Sequence, residues 1–171
     1  RRLRTGGCIT LAALGPMAEV VYQSTQYLRD DDATAMALYL KALPVSETSL
    51  APRASTDRKP ETQGERLYGE HCKNCHGDRG EGKSGAFPAL AGNRAVTMVN
   101  ANNLIQVVLA GGFAPATTGN PRPHGMPPYY HVLSDAEIAK ILTFIRASWG
   151  NDAAAVTELD MAKFRNALRT P

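Results

Sequence analysis

The chain has 171 residues and a formal net charge of +3, which allows one domain of ordinary size with additional segments. Residues 61–150 carry eight basic and seven acidic side chains without a basic stripe, so the charge pattern argues against nucleic acid as a partner. The sequence contains no run of 18 apolar residues, and it therefore predicts no transmembrane helix.

The first 44 residues resemble a later part of the same chain. Residues 28–41 align without a gap on residues 133–146, and a methionine in a Gly/Pro setting precedes each copy, Met17 in the first and Met126 in the second. This pattern indicates an internal repeat at the scale of a domain. We therefore expect residues 1–44 to be the C-terminal remnant of a preceding domain whose front part is missing.

The N-terminal run contains two arginines and the sequence TGGC, which superficially suggest a twin-arginine signal or a lipoprotein cleavage site. Because no apolar region separates them, neither signal is predicted, and Cys8 is expected to be a free thiol. The chain also begins without methionine, which suggests a processed or truncated product. Residues 45–60 are rich in Ser, Thr, Ala and Pro and read as a linker.

A capping box at residues 62–65 predicts the start of a helix that runs into the next motif. Gly64, Leu67, Tyr68 and His71 fall on or near one face of this helix. A glycine four residues before Tyr68 would let another helix approach closely, and Tyr68 itself is expected to pack in the core.

The run CKNCH at residues 72–76 is typical of covalent haem attachment. Two thiols three positions apart can add to the two vinyl groups of a haem, and the histidine after the second thiol can bind its iron. A zinc site would need a second ligand pair, and a thioredoxin-like pair would need a preceding strand. Neither is evident, so Cys72, Cys75 and His76 predict one covalent haem c.

Residues 77–84 match the spacing of a phosphate-binding loop, ending in Gly-Lys-Ser. Such a loop follows a buried strand and opens a helix, whereas this run follows the attachment helix and leads into Phe87 and Pro88. We interpret the match as a coincidence of glycine content.

Three further elements follow. Asn102 or Asn103 is expected to cap a short helix, and residues 111–133 form a long proline-rich loop. A capping box at Ser134 opens a helix that Gly150 ends. Residues 151–171 form a C-terminal extension whose amphipathic helix begins near Thr157; we favour docking on its own domain over a partner subunit or the membrane surface.

The iron of such a site needs a sixth ligand or an open position. Met126 is the preferred candidate, because a proline-rich loop before the last domain helix can present its thioether to the opposite haem face. Thioether ligation also raises the reduction potential, as suits an electron carrier. His124 is the alternative, whereas His131 and Met98 are expected to be ordinary loop, packing or surface residues.

Taken together, these features resemble the cytochrome c subunit of membrane-bound bacterial dehydrogenases for alcohols, gluconate, sorbitol and related substrates. That subunit carries three class I cytochrome c domains in tandem. The resemblance covers most of the chain and rests on residues 15–21, 37–44, 72–77, 87–93, 119–128 and 148–151.

The resemblance implies an all-α class I cytochrome c fold in which residues 61–150 are the third haem domain. Met17 would be the axial ligand of a second haem whose attachment motif is absent, so the chain itself would carry one haem. The Pro88 carbonyl would accept a hydrogen bond from His76 and thereby determine its tautomer. A full family member has three attachment motifs, whereas this chain has one.

The resemblance further implies an electron-transfer subunit without acid, base or nucleophile. Its partners would be a flavin- or quinone-dependent dehydrogenase subunit and then ubiquinone or a terminal oxidase, at the periplasmic outer face of the inner membrane. Two alternatives remain: a freely diffusing monohaem carrier, and an enzyme or sensor with an open haem.

Overall fold

The computed structural model describes residues 7–8, 11–44 and 62–169. The predicted linker at residues 45–60 and the side chain of Cys8 lie outside what it describes. The all-α prediction is confirmed, because helices dominate the described residues. The helices are α1 (Pro16–Gln23), α2 (Asp30–Ala42), α3 (Thr62–His71), α4 (Lys73–His76), α5 (Arg94–Thr97), α6 (Asn102–Ala110), α7 (Asp135–Ala147) and α8 (Glu158–Arg169).

Strands are short and come in two antiparallel pairs. β1 (Gly7–Cys8) pairs with β2 (Leu11–Ala12), and β3 (Gly112–Phe113) pairs with β4 (Gly125–Met126). The second pair folds the long proline-rich loop back on itself, so this loop has structure of its own. Among the helices that the model describes, none is long and apolar enough to cross a membrane.

The packing of α3 against α7 forms the centre of the fold. A Cβ atom placed on Gly64 would lie 2.3 Å from the backbone oxygen of Lys140, so only glycine permits this approach. Tyr68 is 3% exposed and its ring lies against those of Phe144 and Trp149. The expected close helix approach and the core role of Tyr68 are therefore both present.

The core also contains a charged side chain. Arg146, on α7, is 1% exposed and donates hydrogen bonds to backbone oxygens of Val96 at 2.5 Å, Met98 at 3.0 Å and Ala154 at 2.6 Å. The guanidinium thereby connects α7 to the end of α5 and to the segment that follows α7. Its five donors allow one side chain to satisfy several carbonyls.

The C-terminal helix α8 docks on the same domain. Met161 is fully buried in the core cluster, and Phe164 packs partly against it. Arg165 pairs with Asp135 and donates to the Tyr130 carbonyl. Docking on its own domain, which the sequence favoured over a partner or membrane surface, accounts for this face of the helix.

The helix starts agree with the sequence at α7 and α8 but not at α6, and α7 ends at Ala147 and not, as expected, at Gly150. Ser134 and Glu137 form the predicted capping box, and Thr157 caps α8. At α6 the expectation that Asn102 or Asn103 is the cap is wrong, because both lie within the helix and the cap position is Ala101. Asn100 Oδ1 instead accepts from the Asn102 backbone N–H at 2.9 Å.

Helices α1 and α2 form a separate structural segment with little burial. Val21 is buried, but α2 contains no buried residue. Large apolar side chains are exposed along both helices, among them Met17 at 55%, Leu38 at 63% and Tyr39 at 67%. Leu14 lies beside Gly112, at van der Waals distance from where a Cβ there would stand.

Candidate haem-attachment site

The attachment motif occupies the junction between α3 and α4. The backbone N–H of Cys72 donates to the Tyr68 carbonyl at 2.9 Å, and the Cys72 carbonyl accepts from Cys75 at 3.2 Å and His76 at 3.0 Å. These bonds place both thiols and the imidazole on one helical turn. Cys72 is half-buried against the core cluster, whereas Cys75 is exposed.

His76 has one ring nitrogen engaged and the other available. Its Nδ1 lies 2.9 Å from the Pro88 carbonyl oxygen, which can only accept, so Nδ1 donates the hydrogen bond. The lone pair is then on Nε2, the nitrogen that can bind a metal. Burial lowers the pKa of His76, while the bond to Pro88 acts in the opposite direction, so the net effect favours the neutral imidazole.

Glycines bring Pro88 to this position. The Gly82 N–H donates to the His76 carbonyl at 2.7 Å, and the loop then doubles back through a bridge between Lys83 and Phe87. Gly82 has φ +67°, and a Cβ there would lie 2.6 Å from the Phe87 oxygen. The glycine run therefore serves a tight turn. The next helix begins only at Arg94, whereas a phosphate-binding loop would open a helix directly.

Met126 is held on β4, next to the domain core. Its side chain is partly buried and packs against the core cluster. Cys72 of the attachment motif packs against the same cluster. The Met126 backbone oxygen lies so close to Gly111 that a Cβ there would be 2.5 Å from it. This contact holds the β4 backbone against the C-terminal end of α6.

The other candidate ligands are more exposed than Met126. Met98 is 43% exposed, and His124 and His131 are exposed, with the His124 ring 4.9 Å from the Phe87 ring. Met17 lies on α1, outside the domain of residues 62–169, and is 55% exposed. Of these candidates, Met126 alone packs against the described core cluster that Cys72 also contacts.

Burial also affects the Cys72 thiol. Its pKa is raised to about 11, mainly by desolvation and secondarily by the neighbouring Cys75. The thiol is therefore neutral at pH 7. Cys72 thus contributes a neutral, half-buried sulfur on the core side of the motif.

The residues present fit a covalent haem better than a bare metal ion. Two thiols and a neutral imidazole share one turn, and several partly buried apolar side chains pack against the same core cluster as Cys72. These side chains include Leu90, Leu104, Met126 and Tyr129. Within residues 7–8, 11–44 and 62–169, no group of three or more His, Cys, Asp and Glu side chains could hold an ion directly.

Sequence reasoning missed two tyrosine hydroxyls at this site. Tyr68 Oη donates to the Gly77 carbonyl at 2.6 Å, and Tyr129 Oη donates to the His71 carbonyl at 2.6 Å. The acceptor Gly77 directly follows the attachment motif in the sequence, and the acceptor His71 directly precedes it. No spacing rule indicates them, because the Tyr129 contact joins residues 58 positions apart.

Comparison with known proteins finds similarity to cytochromes c. The family model described as cytochrome c matches residues 61–149. The cytochrome c subunit of the quinone alcohol dehydrogenase of Gluconacetobacter polyoxogenes is 37% identical over 174 residues, covering 96% of this chain but 37% of that protein. The gluconate 2-dehydrogenase cytochrome c subunit of Pantoea cypripedii is 35% identical, covering 95% of this chain and 39% of that protein.

A smaller relative matches about half of the chain. Cytochrome c-552 of Thermus thermophilus is 32% identical over 94 residues, which is 53% of this chain and 71% of that protein. By contrast, the chain spans little more than a third of the dehydrogenase subunits that it matches.

Proposed function

Because this chain belongs to the cytochrome c family, we propose that it transfers electrons through one covalently bound haem c, from a partner dehydrogenase towards the quinone pool or respiratory chain. The observation that carries the proposal is the contact between His76 Nδ1 and the Pro88 carbonyl. This contact leaves Nε2 as the free lone pair on the turn that also carries both thiols.

Cys72 and Cys75 would hold the haem by two thioethers, and His76 and Met126 would bind its iron from opposite faces. When bound, the haem supplies the one-electron oxidation and reduction. The chain's own residues orient and shield it. The Pro88 carbonyl holds the His76 ring in one tautomer, and the Met126 thioether favours the reduced state, which raises the potential. No side chain has to donate or accept a proton.

The partner is inferred from the relatives' names, which identify cytochrome subunits of alcohol, gluconate and fructose dehydrogenases. We therefore expect a flavin- or quinone-dependent dehydrogenase subunit as electron donor. Ubiquinone or a terminal oxidase would be the acceptor, at the periplasmic face of the inner membrane. Substrate oxidation would take place on the partner chain. This chain would contribute electron transfer and no catalytic residue.

Residues 1–44 would be the C-terminal part of a preceding cytochrome c domain, with Met17 as an axial ligand there. Two observations support this. The relatives' similarity extends over 96% of the chain, and so includes this segment. The apolar side chains of α1 and α2 are exposed, as expected for helices that normally pack against the rest of a domain.

Substituting Met126 tests the proposed ligation. In the ferric protein, Met126→Ala should abolish the weak charge-transfer band at the red end of the visible spectrum, which requires sulfur bound to iron. Met98→Ala, which removes an exposed thioether, should retain it. A band unaffected by Met126→Ala would mean that a different thioether binds the iron, whereas a band absent from the unaltered protein would favour bis-histidine ligation through His124 or an open haem of the enzyme or sensor type.

Purification tests the proposed partnership. A dehydrogenase subunit should copurify with the haem protein from its native membrane and reduce the haem when its substrate is added. A haem protein that elutes alone and accepts electrons only from small carriers would favour the freely diffusing monohaem alternative.

A further inference from the structure

The segment from Met126 to Tyr129 is stiff. Pro127 and Pro128 have fixed φ angles, and a residue before proline is restricted to extended conformations. The preceding side is also held, because Gly125–Met126 pairs with Gly112–Phe113. A displacement of Tyr129 should therefore move Met126 as well, because the two prolines between them have little freedom to absorb it.

Tyr129 is anchored at three points. Its backbone N–H donates to Val108 at 3.0 Å, and its backbone carbonyl accepts from Val132 and Leu133, each at 3.1 Å. Its hydroxyl donates to the His71 carbonyl at 2.6 Å, and the two rings meet edge to face with centroids 6.0 Å apart. The first two contacts lie within the loop and α6, whereas the hydroxyl contact crosses to α3.

The acceptor of this hydroxyl has a particular place in the site. His71 is the last residue of α3 and directly precedes Cys72. Carbonyls in the last turn of a helix lack partners within the helix, so the His71 oxygen is open to a side-chain donor. The bond consequently joins the element that carries the attachment cysteines to the segment that carries Met126.

We propose that Tyr129 is a positioning residue for the sixth ligand of the iron, acting through its hydroxyl bond to the His71 carbonyl. The inference rests on the proposed ligation by Met126. A tyrosine that only packs in the core would stabilise the fold equally in every ligation state. A positioning tyrosine would specifically favour the state in which the thioether is bound, because that state requires Met126 to stay at a set distance from the motif.

Competition with free imidazole measures this preference. Imidazole binds ferric iron only when the thioether has left, so its apparent affinity reports the population of the open state. Loss of one hydrogen bond should raise that population, and imidazole should bind Tyr129→Phe roughly 3- to 10-fold more tightly than the unaltered protein. The probe is imidazole itself, titrated into the haem-loaded chain and followed in the visible spectrum.

Tyr68→Phe is the matched control. Tyr68 also donates to a backbone carbonyl at 2.6 Å, but that carbonyl belongs to Gly77, and Tyr68 lies on α3 and not in the segment that carries Met126. Both variants should lower the melting temperature by about 5 °C. Imidazole affinity should change by less than about twofold in Tyr68→Phe.

The outcomes separate this inference from the proposed function. If the unaltered protein lacks the red charge-transfer band, Met126 is not the ligand, and the proposed ligation is overturned together with the positioning role that rests on it. If the band is present but imidazole binds Tyr129→Phe as it binds the unaltered protein, or binds Tyr68→Phe equally tightly, only the positioning role is overturned.

A second variant covers failure of Tyr129→Phe to fold or to acquire haem. Pro128 is exposed, and Pro128→Ala loosens the stiff segment while Tyr129 keeps its hydroxyl bond. Imidazole should again bind several-fold more tightly. An unchanged affinity would contradict the transmission of position from Tyr129 to Met126, and with it the proposal.

Discussion

Arg146 is the largest side chain that the described fold buries completely, and no carboxylate is among its three partners. Its guanidinium instead binds the backbone oxygens of Val96, Met98 and Ala154. Burial lowers the pKa of Arg146, yet an arginine keeps its charge at any ordinary pH. Arg146 thus satisfies backbone carbonyls at the end of α5 and in the segment after α7. Without Arg146, these carbonyls would lose this donor.

Arg146→Leu should destabilise the haem-loaded protein by about 3 kcal/mol or more, because it leaves buried carbonyls without donors. Chemical denaturation followed by far-ultraviolet circular dichroism measures the change. Arg66→Leu is the matched control, since Arg66 is exposed and pairs with the exposed Glu70; it should shift stability by no more than about 0.5 kcal/mol. Similar losses in the two variants would contradict the role assigned to the buried guanidinium.

At the scale of elements, the packing of α3 against α7 joins the N-terminal helix of the haem domain to a helix from its C-terminal half. Gly64 and Lys140 allow the two backbones to approach, and Tyr68 and Phe144 fill the space beside that contact. The attachment motif follows α3 directly, so the crossing also determines where the motif lies. Any change that separates the helices should therefore disturb the site as well as the core.

Gly64→Ala should cost about 2 kcal/mol or more, because its Cβ would overlap the Lys140 carbonyl and Phe144 Cβ, which lie 2.3 Å and 2.9 Å from that position. Gly69→Ala is the control in the same helix. A Cβ at Gly69 meets nothing within 4 Å, so alanine there should stabilise the protein by up to about 1 kcal/mol. Denaturation midpoints measure both. Equal effects would show that helix propensity, not close packing, explains Gly64.

The sequence predicted those features that depend on local spacing. The capping box at Ser134, the helix start near Thr157 and the close approach at Gly64 are of this kind, since a few neighbouring residues encode each one. The carbonyl contacts of Arg146 and Tyr129 were not predictable, because they join residues 50 and 58 positions apart. Those distances depend on how whole helices pack, which no periodicity records.

On the scale of the whole molecule, the class I cytochrome c fold that the sequence predicted belongs to the haem domain. The described members of its core cluster run from Leu67 to Met161, and no described residue of the segment 11–44 is among them. The core therefore extends beyond the matched family region, which ends at residue 149, to include Met161 on α8. The C-terminal extension is part of the haem domain, whereas α1 and α2 stand apart from its core.

Shortening the chain from each end should have unequal effects. A chain of residues 61–171 should keep the haem spectrum and melt within about 3 °C of the full chain, because it loses no member of the described core cluster. Removing residues 157–171 takes out the buried Met161 and should lower the melting temperature by more than about 10 °C. Differential scanning calorimetry of the haem-loaded proteins checks both. Strong destabilisation by the first deletion would place α1 and α2 within the folding unit.

The position of Arg165 has a consequence for the order of events during synthesis. This side chain binds the Tyr130 and Leu133 carbonyls, close behind Met126. Domains fold as units when the chain emerges from its N-terminus onwards. Cys72 and Cys75 are synthesised early, whereas Arg165, which binds the loop behind Met126, is synthesised near the end. The contacts of α8 with this loop can therefore form only after the attachment motif has been made.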